Sequence, residues 1–115
     1  MSKFKNKKVI FDGMAFDSKK ECERYKVLKA WQEMGVISDL RTQVAFELAR
    51  GIKIAGEARK RPSVRYVADF VYLDRRQTGC QVVEDVKSAI TKKDKVYRLK
   101  KHLMKLIHDI DVAEV

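Results

Sequence analysis

Two neighbouring segments, Val64-Arg-Tyr-Val-Ala-Asp-Phe-Val-Tyr-Leu73 and Cys80-Gln-Val-Val-Glu-Asp-Val-Lys87, form the centre of the predicted fold. The first is rich in β-branched and aromatic residues, which favour extended structure. In the second, apolar residues precede and follow two adjacent acids. Between them, residues 74–79 have the composition of a turn. The sequence therefore predicts two strands that are connected by a short turn and lie side by side in one sheet.

The segment that follows these strands predicts a helix over residues 92–108. Thr91 and Asp94 form a capping pattern at its start. Apolar residues then recur every three or four positions, as on the inward stripe of a helix, at Val96, Leu99, Leu103, Leu106 and Ile110. The other side of this helix carries Lys95, Arg98, His102 and Lys105. Residues 110–115 alternate as a short last strand.

The segment before the two strands predicts a third strand and a first helix. Residues 40–48 alternate apolar and polar side chains, which is typical of a half-buried strand. Ser18 is an N-cap residue with Glu21 three positions later, and Gly35 can end the helix, which gives a helix over 19–34. Its predicted inward stripe is Tyr25, Leu28 and Trp31.

Two flanking segments complete the organisation. Asp12-Gly13 lies between two short apolar runs, and this dipeptide favours a tight hairpin turn, so residues 1–17 are predicted to form an N-terminal hairpin. Residues 49–63 contain two glycines, one proline and several cations, and we interpret them as a basic loop. The order hairpin, α, β, β, β, α, β predicts a single α/β (α+β) domain over residues 1–115. The second helix is long enough to return the chain to a parallel strand.

The composition indicates a polyanionic partner. The chain has 115 residues with 26 Lys and Arg against 16 Asp and Glu, a formal net charge of +10. Such an excess favours nucleic acid, because binding phosphates releases counterions. No apolar run approaches the length of a membrane helix or a signal peptide, so we expect no membrane partner and a cytoplasmic location. Cys22 and Cys80 are isolated, which argues against a zinc site or a disulfide framework.

Acidic residues in the two central strands indicate a candidate site. Alternation places Asp85 and Lys87 on one face of the second strand, with Glu84 on the opposite face as a solvent or subunit contact. Asp69 lies on the neighbouring strand, and pairing of the two strands brings Asp69 and Asp85 to one place. Two carboxylates on rigid strands beside an ammonium are suited to Mg²⁺-dependent hydrolysis of a phosphodiester.

Four segments of the chain together resemble a known family. They are Phe16-Asp-Ser-Lys-Lys-Glu21-x-Glu-Arg-Tyr25, Thr42-Gln43-x-x-Phe46-Glu-Leu48, Tyr66-Val-Ala-Asp-Phe70 and Val82-Val-Glu-Asp-Val-Lys87. In this order they resemble the PD-(D/E)XK nuclease superfamily, whose restriction-endonuclease-like core is αβββαβ. The similarity is closest to small phage-associated nucleases related to Holliday-junction resolvases. Ala68 stands where the signature has proline, and Asp85 stands where glutamate is commoner.

The resemblance implies a function and a set of roles. It implies a metal-dependent DNA endonuclease that acts on Holliday junctions or other branched DNA, or nicks duplexes, in the host cytoplasm if phage-encoded. Mg²⁺, with Mn²⁺ as a substitute, would be held by Asp69, Asp85 and the Val86 carbonyl. Lys87 would be the catalytic ammonium, and Glu21 the carboxylate on the first helix. Junction-cutting relatives imply a homodimer.

Several alternatives stay open at this point. Glu21 can instead serve only in the capping box with Ser18, and Glu23 competes for its role. Asp85 and Lys87 can form a salt bridge without chemistry, on a non-catalytic protein that binds nucleic acid. Gln43 is interpreted as a hydrogen-bonded edge residue, and Tyr66, Tyr97 and Trp31 as core residues. The candidate contacts to DNA are Arg59, Lys60 and Arg61 in the basic loop and Lys92, Lys95 and Arg98 at the second helix.

Overall fold

The computed structural model describes residues 8–88 and 91–115. The elements in chain order are β1 (Val9–Phe11), β2 (Met14–Phe16), α1 (Lys19–Glu33), β3 (Ile37–Ala49), β4 (Val64–Asp74), β5 (Cys80–Asp85), α2 (Lys95–His108) and β6 (Ala113–Glu114). Single 3-10 turns at Arg75–Gln77 and Thr91–Lys93 precede β5 and α2. Of the predicted hairpin segment 1–17, residues 1–7 lie outside the described residues.

The predicted α+β architecture with an αβββαβ order is confirmed. An antiparallel hairpin of β1 and β2 is followed by a mixed four-stranded sheet in the order β3-β4-β5-β6. The strands β5 and β6 are parallel, with Asp85 opposite Glu114, as the crossover through α2 predicts. Neither described helix is long and apolar enough to cross a membrane.

The chain contains two compact units, of which the first comprises residues up to 40 together with 72–81. Its helix α1 begins as predicted, because the Ser18 hydroxyl accepts the backbone N–H of Glu21 at 3.1 Å. The buried side chains of α1 include Cys22, Tyr25 and Leu28. Trp31 is only half-buried, contrary to the prediction. The guanidinium groups of Arg24 and Arg76 lie 5.1 and 5.7 Å from its ring, so the indole contacts cations at the surface.

The second unit comprises residues 41–71 and 82–115 and contains the larger apolar core. Side chains from the strands and from α2 form one buried cluster, made of Leu48, Tyr66, Ala68, Val71, Val83, Tyr97, Met104 and Val112. Half of these positions lie on β4 and β5. This core holds the ends of β4 and β5 in fixed positions.

Helix α2 presents a different side to the core from the one predicted. It begins at Lys95, because the Asp94 carboxylate accepts the N–H of Val96 at 3.2 Å. Its buried residues are Tyr97 and Met104, whereas most of the predicted inward stripe is exposed. The prediction was wrong because hydrophobic periodicity gives the direction of the apolar side but not what that side contacts.

The basic loop after β3 is more ordered than its composition indicates. Ile52 and Arg61 form an isolated antiparallel bridge, and the Arg61 guanidinium makes two hydrogen bonds to the Glu57 carboxylate at 2.8 and 2.6 Å. Gly51 allows this closure, since a Cβ there would lie 2.8 Å from the Arg61 carbonyl oxygen. Part of the positive charge of the loop is therefore paired within the loop.

Candidate active site

The carboxyl groups of Asp69 and Asp85 meet in the second unit. Asp69 belongs to β4, and Asp85 is the last residue of β5. The backbone N–H of Val86, the residue after Asp85, donates to Asp69 Oδ2 at 2.8 Å, and the Asp85 carboxyl is near enough to raise the pKa of Asp69. The prediction that these two strands bring both acids together is confirmed.

Lys87 lies beside the two acids although it lies outside the strand. Strand β5 ends at Asp85, two residues earlier than predicted. The Lys87 ammonium is nevertheless 3.4 Å from Asp85 Oδ1 and 4.5 Å from the centre of the Tyr97 ring. The neighbouring backbone is fixed, since Val115 accepts the N–H of Lys87 at 3.3 Å and donates to the Asp85 carbonyl at 3.0 Å. An ion pair and a cation–π contact thus orient this ammonium.

Two buried tyrosines support the acids and the lysine. The Tyr66 hydroxyl donates to Asp85 Oδ2 at 2.5 Å, and the Tyr97 hydroxyl donates to Glu114 Oε2 at 2.6 Å. Burial raises the pKa of both phenols, so both stay protonated as donors. The prediction that these tyrosines are core residues is confirmed, but their contacts with the site were missed, since no spacing in the sequence indicates them.

Gln43 also contacts the site. Its amide Nε2 donates to Asp69 Oδ1 at 3.4 Å, a long hydrogen bond. Gln43 lies on the edge strand β3 with φ of 52°, in the left-handed region that few non-glycine residues occupy. Such strain is often found at functional sites, where the surrounding structure maintains it. The sequence interpretation of a hydrogen-bonded edge residue is confirmed, but it did not identify the partner.

The protonation of Asp69 reflects its surroundings. Burial and the neighbouring Asp85 carboxyl together raise the pKa of Asp69 to about 7, against the opposing effects of the Val86 N–H and the Lys87 charge. Two neighbouring carboxylates cannot both be charged at low cost unless cations neutralise them, and the Lys87 ammonium beside Asp85 does so only in part. Without a further cation, Asp69 takes up a proton as pH falls through about 7.

This proton predicts a pH dependence of stability. Since the folded pKa of Asp69 lies above its unfolded value of 3.8, its contribution is present at low pH and is lost as pH rises through about 7. The comparison is made in chelator, between the wild type and Asp69→Asn. From pH 5.5 to 8 the free energy of unfolding of the wild type should fall by about 1 to 2 kcal/mol relative to that of the variant, a range that allows for solvent screening.

Urea denaturation at several pH values measures this difference. The control is Asp39→Asn, which makes the same change at an exposed carboxylate of β3. An unchanged pH dependence in Asp69→Asn would show that Asp69 does not carry the proton.

The donor set at this place fits a hard divalent cation. Mg²⁺ in proteins commonly uses one or two carboxylates and completes its shell with water and substrate phosphate. Asp69 and Asp85 supply that pair, and a bound cation would replace the proton that they share. Among residues 8–88 and 91–115, no cluster of three or more His, Cys, Asp or Glu side chains is arranged to bind a metal.

A cavity of about 270 Å³ opens beside Asp85, and its lining also includes Lys87, Tyr66 and Tyr97. Two further cations, Arg65 on β4 and Lys100 on α2, also line it. Sequence reasoning missed both, because Arg65 lies in an apolar strand and Lys100 in a helix with many cations. Their shared cavity makes them candidate phosphate ligands next to the acids.

The two candidate helix carboxylates differ in environment. Glu21 is buried in the first unit, on the first turn of α1, where its backbone N–H bonds to Ser18. Glu23 is exposed and pairs with Lys26 at 3.2 Å. Burial favours Glu21 over Glu23 for a special role, and its part in a metal site stays a prediction.

The remaining predicted residues lie at the surface or in the sheet. The six candidate DNA contacts are all exposed: Arg59, Lys60, Arg61, Lys92, Lys95 and Arg98. The expectation of solvent contact for Glu84 was wrong, because Glu84 is buried with 2% of its surface exposed. The reason is its position on β5, which pairs with a strand on either side.

Comparison with known proteins identifies the family but not an activity. A family described as protein of unknown function (DUF1064) matches residues 1–112. No curated protein and no solved structure matches the chain significantly. Since the family match covers nearly the whole sequence, the chain belongs to the DUF1064 family.

Proposed function

We propose that this protein is a metal-dependent endonuclease that hydrolyses phosphodiester bonds of DNA, with branched junctions or nicking as its expected mode. The observation that carries the proposal is that Asp69 accepts the N–H of Val86, the residue after Asp85, at 2.8 Å, while the Lys87 ammonium lies 3.4 Å from Asp85. Two neighbouring acids and one amine, of which Asp85 and Lys87 line a cavity, match what water attack on a phosphate diester requires.

Asp69 and Asp85 would hold the metal, Mg²⁺ or Mn²⁺, together with the Val86 carbonyl that the resemblance to PD-(D/E)XK nucleases adds. The ion would supply a Lewis acid that polarises the phosphate and lowers the pKa of water. The same resemblance assigns Glu21 as a further carboxylate. These roles are part of the proposal.

The chain's own residues would position the reactants. Lys87 is held by Asp85 and the Tyr97 ring, so its ammonium can hydrogen-bond the attacking water or stabilise negative charge that develops on the phosphate. Tyr66 fixes the orientation of Asp85 through its hydroxyl. Arg65 and Lys100, which line the same cavity, would bind the flanking phosphates.

The DNA itself would be bound by the positive surface. The net charge of +10 supports a polyanionic substrate, and the cations proposed to bind its backbone are Arg59, Lys60, Arg61, Lys92, Lys95 and Arg98. Symmetric cutting of a branched junction requires two active sites, so a homodimer belongs to the proposal.

A second candidate function is nucleic-acid binding without cleavage. The observation that favours it is that both Asp85 oxygens have partners, Lys87 and Tyr66, as in a structural ion cluster. A buried polar network of this kind can serve the fold alone. This candidate predicts salt-sensitive DNA binding and no metal-stimulated cutting.

A cleavage assay separates the two candidates. Purified protein is incubated with supercoiled plasmid and with four-way junctions in Mg²⁺, in Mn²⁺, and in chelator. The endonuclease proposal predicts nicked or resolved products in both metals and none in chelator. Tight DNA binding without products in either metal would overturn the proposal in favour of the binder.

A further inference from the structure

Helix α2 carries large apolar side chains on its solvent side. Val96, Leu99 and Leu106 are 60%, 58% and 72% exposed, whereas Met104 on the opposite side is fully buried. Ile107, next to Leu106, is 47% exposed. Soluble domains rarely expose such a continuous row of apolar side chains unless another surface covers it.

These side chains form a seam along the helix. Val96, Leu99, Leu103 and Leu106, here called the α2 stripe, are separated by three, four and three residues. This is the a and d spacing of a helix that packs against another helix. Leu103 is only partly buried and touches the core from the edge of the stripe. The stripe therefore has the pattern of a helix–helix contact that residues 8–88 and 91–115 do not make with one another.

We propose that the α2 stripe binds the α2 stripe of a second copy of this chain, with the two helices antiparallel around a twofold axis. In that register Val96 of each copy faces Leu106 of the other, and Leu99 faces Leu103. One patch then serves both sides, as closed symmetric dimers require.

The charges at the two ends of α2 select a second copy and the antiparallel direction. Lys95 is the first residue of the helix, and Asp109 follows its last residue. An antiparallel pair brings Lys95 of one copy next to Asp109 of the other, whereas a parallel pair would place like charges together. Lys95 would then join the 3.2 Å ion pair between Lys105 and Asp109 and contact the second copy instead of DNA. Nucleic acid is a poor occupant, because the stripe offers no cation to a phosphate.

The inference stands without the proposed nuclease activity but has a consequence for it. Val96 begins the stripe and also lines the cavity that contains Asp85 and Lys87. The second copy's Leu106 would therefore lie at the edge of that cavity. A dimer of this form would place the end of one subunit's helix beside the other subunit's candidate site.

Sedimentation equilibrium of the full chain tests the proposal. We expect the wild type to be a dimer at about 10 µM. Leu106→Glu should associate at least about 100-fold more weakly, because the dimer would bury its charge in the α2 stripe. The matched control is Met34→Glu, at a 71% exposed side chain that directly follows α1, and it should remain dimeric. Circular dichroism verifies folding, and Leu106→Gln replaces the first variant if it fails to fold.

A double-mutant cycle tests the orientation. Lys95→Gln and Asp109→Asn should each weaken the dimer about threefold, and the double variant should be no weaker than either one. Additive effects would overturn the antiparallel arrangement. A wild type that is monomeric at 100 µM, or a Leu106→Glu variant that is as dimeric as the wild type, would overturn the proposal. A monomeric wild type that binds anionic lipid vesicles through Leu106 would also overturn it, because a membrane would then be what covers the α2 stripe.

Discussion

Lys87→Ala is expected to reduce metal-dependent DNA cleavage by about 10³-fold while DNA affinity stays within a factor of about two. Lys87 forms an ion pair with Asp85 at 3.4 Å. Its removal takes away a positive charge near the reacting phosphate, and the many other cations maintain binding. Asp85→Asn, which keeps the size of the side chain, should have an effect of the same order.

Single-turnover cleavage and a filter-binding measurement at one salt concentration provide the two readouts. Lys19→Ala, at the exposed first residue of α1, removes the same charge and should leave both unchanged. The control for Asp85→Asn is Asp39→Asn. Cleavage near wild-type rates in both Lys87→Ala and Asp85→Asn would place the chemistry elsewhere.

Met104→Ala is expected to lower the free energy of unfolding by about 3 kcal/mol, because Met104 is fully buried in the core cluster and the truncation leaves a cavity. Met34→Ala makes the same change at a side chain that is 71% exposed, and it should cost less than about 0.5 kcal/mol. Urea denaturation at one protein concentration measures both.

This pair of variants tests which side of α2 faces the core. The hydrophobic spacing of the sequence placed Val96, Leu99 and Leu106 inward, whereas the structure buries Tyr97 and Met104. Equal costs for the two methionine variants would mean that Met104 is not in the core, and the exposed α2 stripe would then lose its basis.

The sequence predicted those features that depend on local chemistry. The start of α1 follows from the Ser18 cap, and the meeting of Asp69 with Asp85 follows from two adjacent β segments that contain acids. The end of β5 and the burial of Glu84 could not be predicted, because both depend on the strands that pair with β5.

The supporting contacts of the site depend on tertiary structure in the same way. Tyr66 reaches Asp85 across 19 residues, and Gln43 reaches Asp69 across 26. No local pattern encodes which carboxylate a buried phenol or an edge amide will find. The sequence therefore identified the acids and the amine, and only the fold identified the groups that orient them.

Binding of Mn²⁺ to the purified protein tests the central claim without any substrate. It is measured as the loss of the electron paramagnetic resonance signal of the free ion. The shared site of Asp69 and Asp85 predicts saturable binding in the wild type that weakens at least about tenfold in Asp69→Asn and in Asp85→Asn, but not in Asp39→Asn. Equal Mn²⁺ affinity in all four proteins would contradict the claim that these two carboxylates form a metal site.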